Sequence, residues 1–367
     1  MDMLYKKLGK PIFFRMDPEK AHHLIIDSLS AVGAFPGGKQ LLKAMWGVNY
    51  SPLLAQNLWG IEFANPIGLA AGLDKNAKAV KGFSQLGFGF MEVGTITPKP
   101  QPGNEQPRLF RLPEDHALIN RMGFNNVGVE EMARNLQKVG KRHIPVAINI
   151  GKNKMTPNEQ AEEDYRACIR ALYTYGDFFV VNISSPNTPD LRNLQHGNDL
   201  CRLLDAVTDE MQIQQEKHRH PGKPVLVKIA PDLTDEELEL TAKTIKDSGV
   251  SGIIATNTTL SRDGLQNANK EQAGGLSGKP LTRRSTEVIS RVYRLTDGKL
   301  PIIGSGGIFS AQDAYDKIRA GASLVEVYTA LIYEGPGLLS RLNEGLQDLL
   351  KRDGFTHISQ AIGADQK

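Results

Sequence analysis

Cysteine is nearly absent: Cys168 and Cys201 are the only two in 367 residues. A pair so far apart excludes a disulfide framework and a CxxC zinc site. No apolar run reaches the roughly 18 residues a membrane-spanning helix needs. Met1 to Lys10 lacks the apolar core of a secretory signal, and Asp17-Pro18-Glu19 interrupts the short apolar stretches near it. An intracellular, reduced chain is expected. Histidine is sparse and badly placed for metal. His22 and His23 are adjacent, so they point about 100° apart on a helix. His218-Arg219-His220 falls in a surface loop, no HExxH occurs, and no catalytic metal is expected. The net charge of +3 is too small to imply a nucleic-acid partner.

The composition otherwise suits a packed globular chain: 40% hydrophobic and 23% charged residues. The 36 glycines and 20 prolines follow no period, which points to many tight turns. Charge is uneven. Residues 1–43 carry seven basic groups and four acidic ones, the whole net charge, while the rest is balanced. Within that segment Asp17 reads as a helix N-cap and Pro18 as the first helical residue. Ala21, Leu24, Ile25, Leu29 and Val32 come next at helical spacing. Pro36-Gly37-Gly38 breaks the pattern, and Leu41, Leu42, Met45 and Trp46 begin a second stripe. A helical hairpin over residues 1–46 is expected, ahead of a body over 47–367. Two readings of it stand: both stripes pack on the body, or the hairpin lies on a membrane surface with lysines near anionic headgroups.

From residue 66 the pattern alternates. Short apolar strands are expected at Pro66–Ala71, Phe90–Thr95, Pro145–Ile150, Phe178–Ile183, Pro224–Ile229, Gly252–Thr256, Pro301–Gly304 and Leu324–Tyr328. Amphipathic helices lie between them, including Glu159–Tyr175, Asp199–Lys217, Asp235–Asp247 and Thr282–Leu295, with a last one after Gly335-Pro336-Gly337. Thr234 and Glu237 read as a capping box, and Gly249 as a helix stop. Eight such units in series predict an α/β fold of the (β/α)8 (TIM) barrel class. A doubly wound sheet is the competitor, but the first strand leads into Ala70-Ala71-Gly72-Leu73-Asp74-Lys75 and not a GxGxxG fingerprint. Two connections are long, Pro98–Gly123 and Thr258–Lys279, and both fall on the catalytic face of such a barrel.

Nearly every strand ends on a polar residue or a glycine: Lys75, Thr95, Asn149, Asn182 with Ser185, Lys228, Thr256 with Asn257, Gly306 with Gly307, and Tyr328 with Thr329. Unpaired buried polar groups cost about 1–3 kcal/mol each, so a full rim of them implies a ligand with many hydrogen-bonding edges. Gly304-Ser305-Gly306-Gly307 comes after strand seven, where barrels often cradle a phosphate. Gly274-Gly275-Leu276-Ser277-Gly278 could close over the same ligand. Amides at Asn120, Asn149, Asn182, Asn187 and Asn257 offer donor and acceptor together, which matches a ring alternating C=O and N–H; turn chemistry is the plainer reading of each. Lys75 and Lys228 emerge from apolar surroundings and need anionic partners. A Schiff-base lysine would make this an aldolase-like barrel instead.

Seven ordered stretches resemble the quinone-dependent (class 2) dihydroorotate dehydrogenases. They are Asn65–Lys75, Glu92–Pro98, Pro107–Leu112, Asn120–Asn126, Asn149–Lys154, Asn182–Thr188 and Gly274–Gly278. The resemblance implies oxidation of (S)-dihydroorotate to orotate in pyrimidine synthesis, one non-covalent FMN per chain, and a membrane quinone as acceptor. It implies Ser185 as the base that takes the C5 proton, where the soluble branch has Cys. Cofactor contacts carry over to Ala70, Ala71, Gly72, Leu73, Asp74, Lys75, Thr95, Asn149, Asn182, Lys228, Thr256, Gly278, Gly307, Tyr328 and Thr329. Substrate contacts carry over to Lys75, Asn120, Arg121, Met122, Gly123, Phe124, Asn182, Asn187, Asn257 and Thr258. Asp190 departs from the family, whose members often have Gly there. The hairpin is expected to form the mouth of a quinone tunnel, with Arg111 near the quinone head. A monomer, peripheral on the cytoplasmic side of the inner membrane, is the implied state. A soluble fumarate- or NAD-linked relative and a flavin-free phosphate-binding barrel are the alternatives.

Overall fold

The structure, a computed structural model, describes residues 5–366. Residues 1–4 of the expected N-terminal segment lie outside it. That segment forms α1 (Lys10–Arg15), α2 (Pro18–Ala34) and α3 (Gly38–Trp46). The Asp17 carboxylate accepts the N–H groups of Glu19 and Lys20 at 3.1 and 3.0 Å, and Pro18 takes the first helical position, where no N–H is missed. α2 and α3 are the expected hairpin; α1 is additional. The packing reading of the stripes holds for part of the hairpin: Ala21, Ile26 and Leu42 are buried, whereas Leu24, Phe35 and Leu41 face solvent.

The first strands, β1 (Gln56–Leu58) and β2 (Ile61–Phe63), pair as a short antiparallel hairpin. Next come β3 (Ile67–Leu69) and β4 (Phe90–Ile96), then β5 (Leu109–Leu112) and β6 (Ala117–Asn120), then β7 (Val146–Ile150), β8 (Phe178–Asn182), β9 (Val225–Ile229) and β10 (Gly252–Ala255). Last are β11 (Gly275–Gly278), β12 (Ile302–Ser305) and β13 (Leu324–Val327). Eight of these close a parallel barrel in the order β3-β4-β7-β8-β9-β10-β12-β13 and back to β3. Each expected strand is present to within about two residues, the usual scatter of element ends. Helices Asp235–Asp247, Thr282–Leu295 and Leu338–Arg352 are present as expected, and Thr234 with Glu237 forms the capping box.

Alternation along the strands builds the interior in layers. Phe90, Ala147, Phe178, Val180, Leu226, Ile254, Ile303 and Leu324 point inward and form an apolar floor. The β1–β2 hairpin plugs that end. Its Phe63 ring meets those of Phe90 and Phe178, with centroids 5.6 and 6.4 Å apart. The neighbours Val93, Ile148, Val181, Val227, Ile253 and Val325 point outward into the main core beneath the helices. One step above the floor the inward side chains turn polar: Glu92, Asn149, Asn182, Lys228, Thr256, Ser305 and Glu326, all buried. β4 keeps this pattern by a bulge. Its register with β7 shifts between Val93 and Ile96, at Gly94 with φ +108°. Without the extra residue, Thr95 would face outward. A Cβ at Gly94 would lie 2.4 Å from the Asn149 carbonyl oxygen, so only glycine fits.

The two long connections meet each other. β11 pairs with β6, and β6 with β5, giving a three-stranded antiparallel sheet over the catalytic end. This sheet also receives the hairpin. Glu19 on α2 is buried and accepts from Arg108 Nη2 at 2.7 Å and Gln106 Nε2 at 3.1 Å. Among the described residues no helix is long and apolar enough to cross a membrane.

Candidate active site

The catalytic end of the barrel, the sheet and the hairpin enclose a cavity of about 1220 Å³, including its open mouth.

At its floor stands a chain of hydrogen-bonded side chains. Lys228 Nζ donates to Glu92 Oε2 at 2.7 Å and lies 3.5 Å from Glu326 Oε2. Glu92 also accepts Ala71 N–H at 3.0 Å and Asn149 Nδ2 at 2.6 Å. Asn149 Oδ1 in turn accepts from Thr95 Oγ1 and, at 3.1 Å, from Asn182 Nδ2. Asn257 Nδ2 donates to Asn182 Oδ1 at 3.3 Å. The chain fixes the amide orientations, because each acceptor already has its donor. Burial disfavours the Lys228 cation, but the negative charge of the Glu326–Glu92 pair outweighs it and raises its pKa. Burial likewise disfavours ionised Glu92, and Lys228 reverses this and lowers it.

Lys75 is a different lysine. Among the described residues no acceptor stands within hydrogen-bond reach of its Nζ, and it lines the cavity. Burial pushes its pKa down to about 8, against the pull of Glu19. An anionic ligand would relieve this. His22, reaching in from α2, is held well below its ordinary value by burial and then by Lys75 and His23, so it stands neutral at pH 7. Ser185 is buried in the loop after β8, and its Oγ accepts Asn187 N–H at 3.3 Å. In the same loop Thr188 Oγ1 is buried with no partner.

The donor set fits a phosphorylated, ring-bearing cofactor. Gly306 and Gly307 both have positive φ, and neither N–H has a protein acceptor among the described residues. Their carbonyls are held instead: Ser285 Oγ donates to Gly306 O at 3.0 Å and Thr282 Oγ1 to Gly307 O at 2.7 Å. A Cβ at Gly307 would lie 2.4 Å from the Thr282 nitrogen, so the turn admits no side chain. Thr256 Oγ1 faces the cavity, buried and unpartnered. Backbone N–H groups for a phosphate and amides with a lysine for a polar ring are the chemistry such a ligand needs.

Most residues singled out from the sequence line this one cavity. These include Ala70, Ala71, Gly72, Thr95, Gly278, Gly307, Tyr328 and Thr329 of the expected cofactor set, and Asn120, Met122, Gly123, Phe124, Asn187, Asn257 and Thr258 of the substrate set. Four do not line it. Leu73 is buried in the main core. Asp74 accepts the N–H groups of Lys78 and Ala79 at 2.9 and 2.8 Å, and burial raises its pKa to about 6. Asn149 stands behind Thr95 and Asn182. Arg121 turns away to Gln272 Oε1 at 2.9 Å and covers the Phe110 ring. Arg111 is also engaged elsewhere: it donates to the carbonyls of Phe13 and Met16, tying α1 to the sheet. Asp190 sits at φ +55°, the left-handed region that a glycine adopts freely. Glu92, Glu326 and His22 belong to the site without having been expected there. A charge inside the apolar runs Phe90-Met91-Glu92-Val93 and Leu324-Val325-Glu326-Val327 is the same signal that marked Lys228.

Comparison with known proteins agrees with this geometry. A family-level sequence profile for dihydroorotate dehydrogenase matches residues 53–350. The dihydroorotate dehydrogenase (quinone) of Deinococcus deserti is 55% identical over 362 residues, 99% of this chain and 100% of that one. Its namesake in Anaeromyxobacter dehalogenans is 50% identical, covering 100% and 98%. Among solved structures, DHODH from Eimeria tenella in complex with ferulenol superposes with a TM-score of 0.87 at 41% identity, covering 96% of each chain. Likeness of this depth over nearly the whole length, on the same barrel, leaves one conclusion: the chain belongs to the dihydroorotate dehydrogenase family of oxidoreductases, alongside its quinone-dependent members.

Proposed function

We propose that this chain oxidises (S)-dihydroorotate to orotate with one non-covalent FMN and passes the electrons to a membrane quinone. The observation that carries the reading is convergence: Ser185, Lys75, the four amides of Asn120, Asn182, Asn187 and Asn257, and the Lys228 network share one cavity. Bound FMN supplies the hydride acceptor for C6 of the substrate. The chain's residues do the rest. Lys75 binds the substrate carboxylate, whose charge it is placed to match. The amides read the alternating C=O and N–H groups of the ring. Ser185 takes the C5 proton. A serine hydroxyl keeps its own proton at neutral pH, so it must pass one on, and Thr188, whose buried hydroxyl has no partner among the described residues, or a water relays that proton out to solvent. Lys228, anchored by Glu92, places a fixed positive charge where negative charge develops.

For quinone, the cavity reaches the hairpin, where His22, Leu109 and Leu118 line it. Exposed Ile12, Leu24, Phe35 and Leu41 on the same helices, beside lysines, suit a peripheral seat on an anionic bilayer, the cytoplasmic side of an inner membrane. Residues 1–46 thus serve quinone access and 47–367 the chemistry, in a monomer. Ser185→Ala is the test. Flavin reduction by dihydroorotate should fall by about 10²-fold or more, with flavin retained. A rate within about threefold of wild type would contradict the assignment.

A further inference from the structure

Two carboxylates and one ammonium share the polar layer at the cavity floor. Glu92 on β4 and Glu326 on β13 both meet Lys228 on β9. Their surroundings differ. Glu92 accepts three donors, at 2.7 Å from Lys228, 3.0 Å from Ala71 N–H and 2.6 Å from Asn149. Glu326 has one long contact, 3.5 Å to Lys228, and its Oε1 has no hydrogen-bond donor among the described residues. Both acids are almost fully buried. One cation cannot compensate two dry carboxylates, and an uncompensated buried charge is expensive. The acid with fewer donors is the one that keeps its proton, as in paired carboxyls generally. A protonated carboxyl also has an O–H to donate, and Glu92, which meets the same Lys228 Nζ, is the neighbouring acceptor.

We propose that Glu326 stands as a neutral, protonated acid donating to Glu92, so that the Lys228–Glu92–Glu326 group carries no net charge. Electrostatics agree in direction: burial, then Glu92, pushes Glu326 well above the ordinary carboxylate range, with Lys228 opposing. Glu92 and Lys228 are the charged groups that act on it; Lys75 lines the same cavity but is not among them. Glu326 is a positioning residue that acts through Lys228. While it keeps its proton, Lys228 faces the cavity with one counter-charge. When it ionises at alkaline pH, a second counter-charge appears and weakens the attraction for negative charge. This last consequence rests on the flavin reading above; the proton itself does not.

The test is carbon NMR of the holoenzyme labelled at glutamate carboxyl carbons, titrated with pH, beside E326Q. The signal lost in E326Q should sit at the protonated-acid position at pH 7 and move only at alkaline pH. A signal at the carboxylate position at pH 7 overturns the proposal. If E326Q does not fold, E326D removes the same labelled signal and serves equally. As a functional readout, the midpoint potential of bound flavin should fall more steeply than its ordinary proton-coupled slope through the pH range where that signal moves, and E326Q should keep only the ordinary slope. An added fall that persists in E326Q overturns the role assigned to Glu326. A protein purified without flavin would instead overturn the cofactor reading, since the NMR signal is read with or without flavin.

Discussion

Lys75 and Lys228 lie in one cavity, and their partners set them apart. Lys228 has a carboxylate at 2.7 Å and its pKa is raised; Lys75 has none in reach among the described residues and its pKa falls to about 8. This fixes the sign of the pH effect. Below about pH 8 free Lys75 carries the charge that, in the proposed function, attracts the substrate carboxylate; above it the charge is lost. The kcat/KM for dihydroorotate should therefore fall above about pH 8, approaching tenfold per pH unit. Lys75→Met should lower kcat/KM at neutral pH and abolish that break. A profile flat through about pH 9 in the wild type would refute the role. Asn149 acts at the same scale without lining the cavity. Asn149→Ala leaves a Glu92 oxygen and an Asn182 amide short of partners, at about 1–3 kcal/mol by denaturant titration. Its flavin should dissociate more readily in a fluorescence assay.

At the scale of elements, the buried Glu19–Arg108 pair ties the hairpin to the body. Burial raises the Glu19 pKa, but the Arg108 hydrogen bonds and charge outweigh it and lower it. Docking is therefore strongest above the ordinary carboxylate range and is lost as pH falls through the Glu19 value. Glu19→Ala should loosen the hairpin by about 3 kcal/mol or more, seen as faster proteolysis within residues 10–46 while the barrel persists. Equal cleavage rates would count against the anchor. Thr234→Ala, which breaks a capping box remote from the cavity, should cost about 1 kcal/mol of stability and leave turnover unchanged. These elements were also the most legible part of the sequence. Buried parallel strands are continuous apolar runs, and caps such as Asp17 and Thr234 are local chemistry, so both can be read one segment at a time. The β5–β6–β11 sheet was not foreseen, because its strands come from two loops more than a hundred residues apart and pairing across loops leaves no local mark. The bulge at Gly94 hid for a similar reason. It shows only as a shift of register against β7, although it decides that Thr95 faces the cavity. Glu92 was visible as a charge in an apolar strand, yet its partner Lys228 lies across the barrel.

In the whole molecule, the proposed function divides one reaction between two regions. The barrel holds the charged network and Ser185; the hairpin adds His22 to the cavity and an exposed apolar surface beside it. Removing residues 1–43 should spare the reduction of flavin by dihydroorotate and abolish turnover with a long-chain quinone. Turnover retained with that quinone would remove the reason for the hairpin. Everything depends on the cavity holding a flavin next to the substrate. The most direct measurement is the visible absorbance of the purified protein under anaerobic conditions, before and after dihydroorotate is added without any acceptor. Flavin bands that bleach on addition are the expected result; a protein without those bands, or with bands that dihydroorotate leaves unchanged, would contradict it.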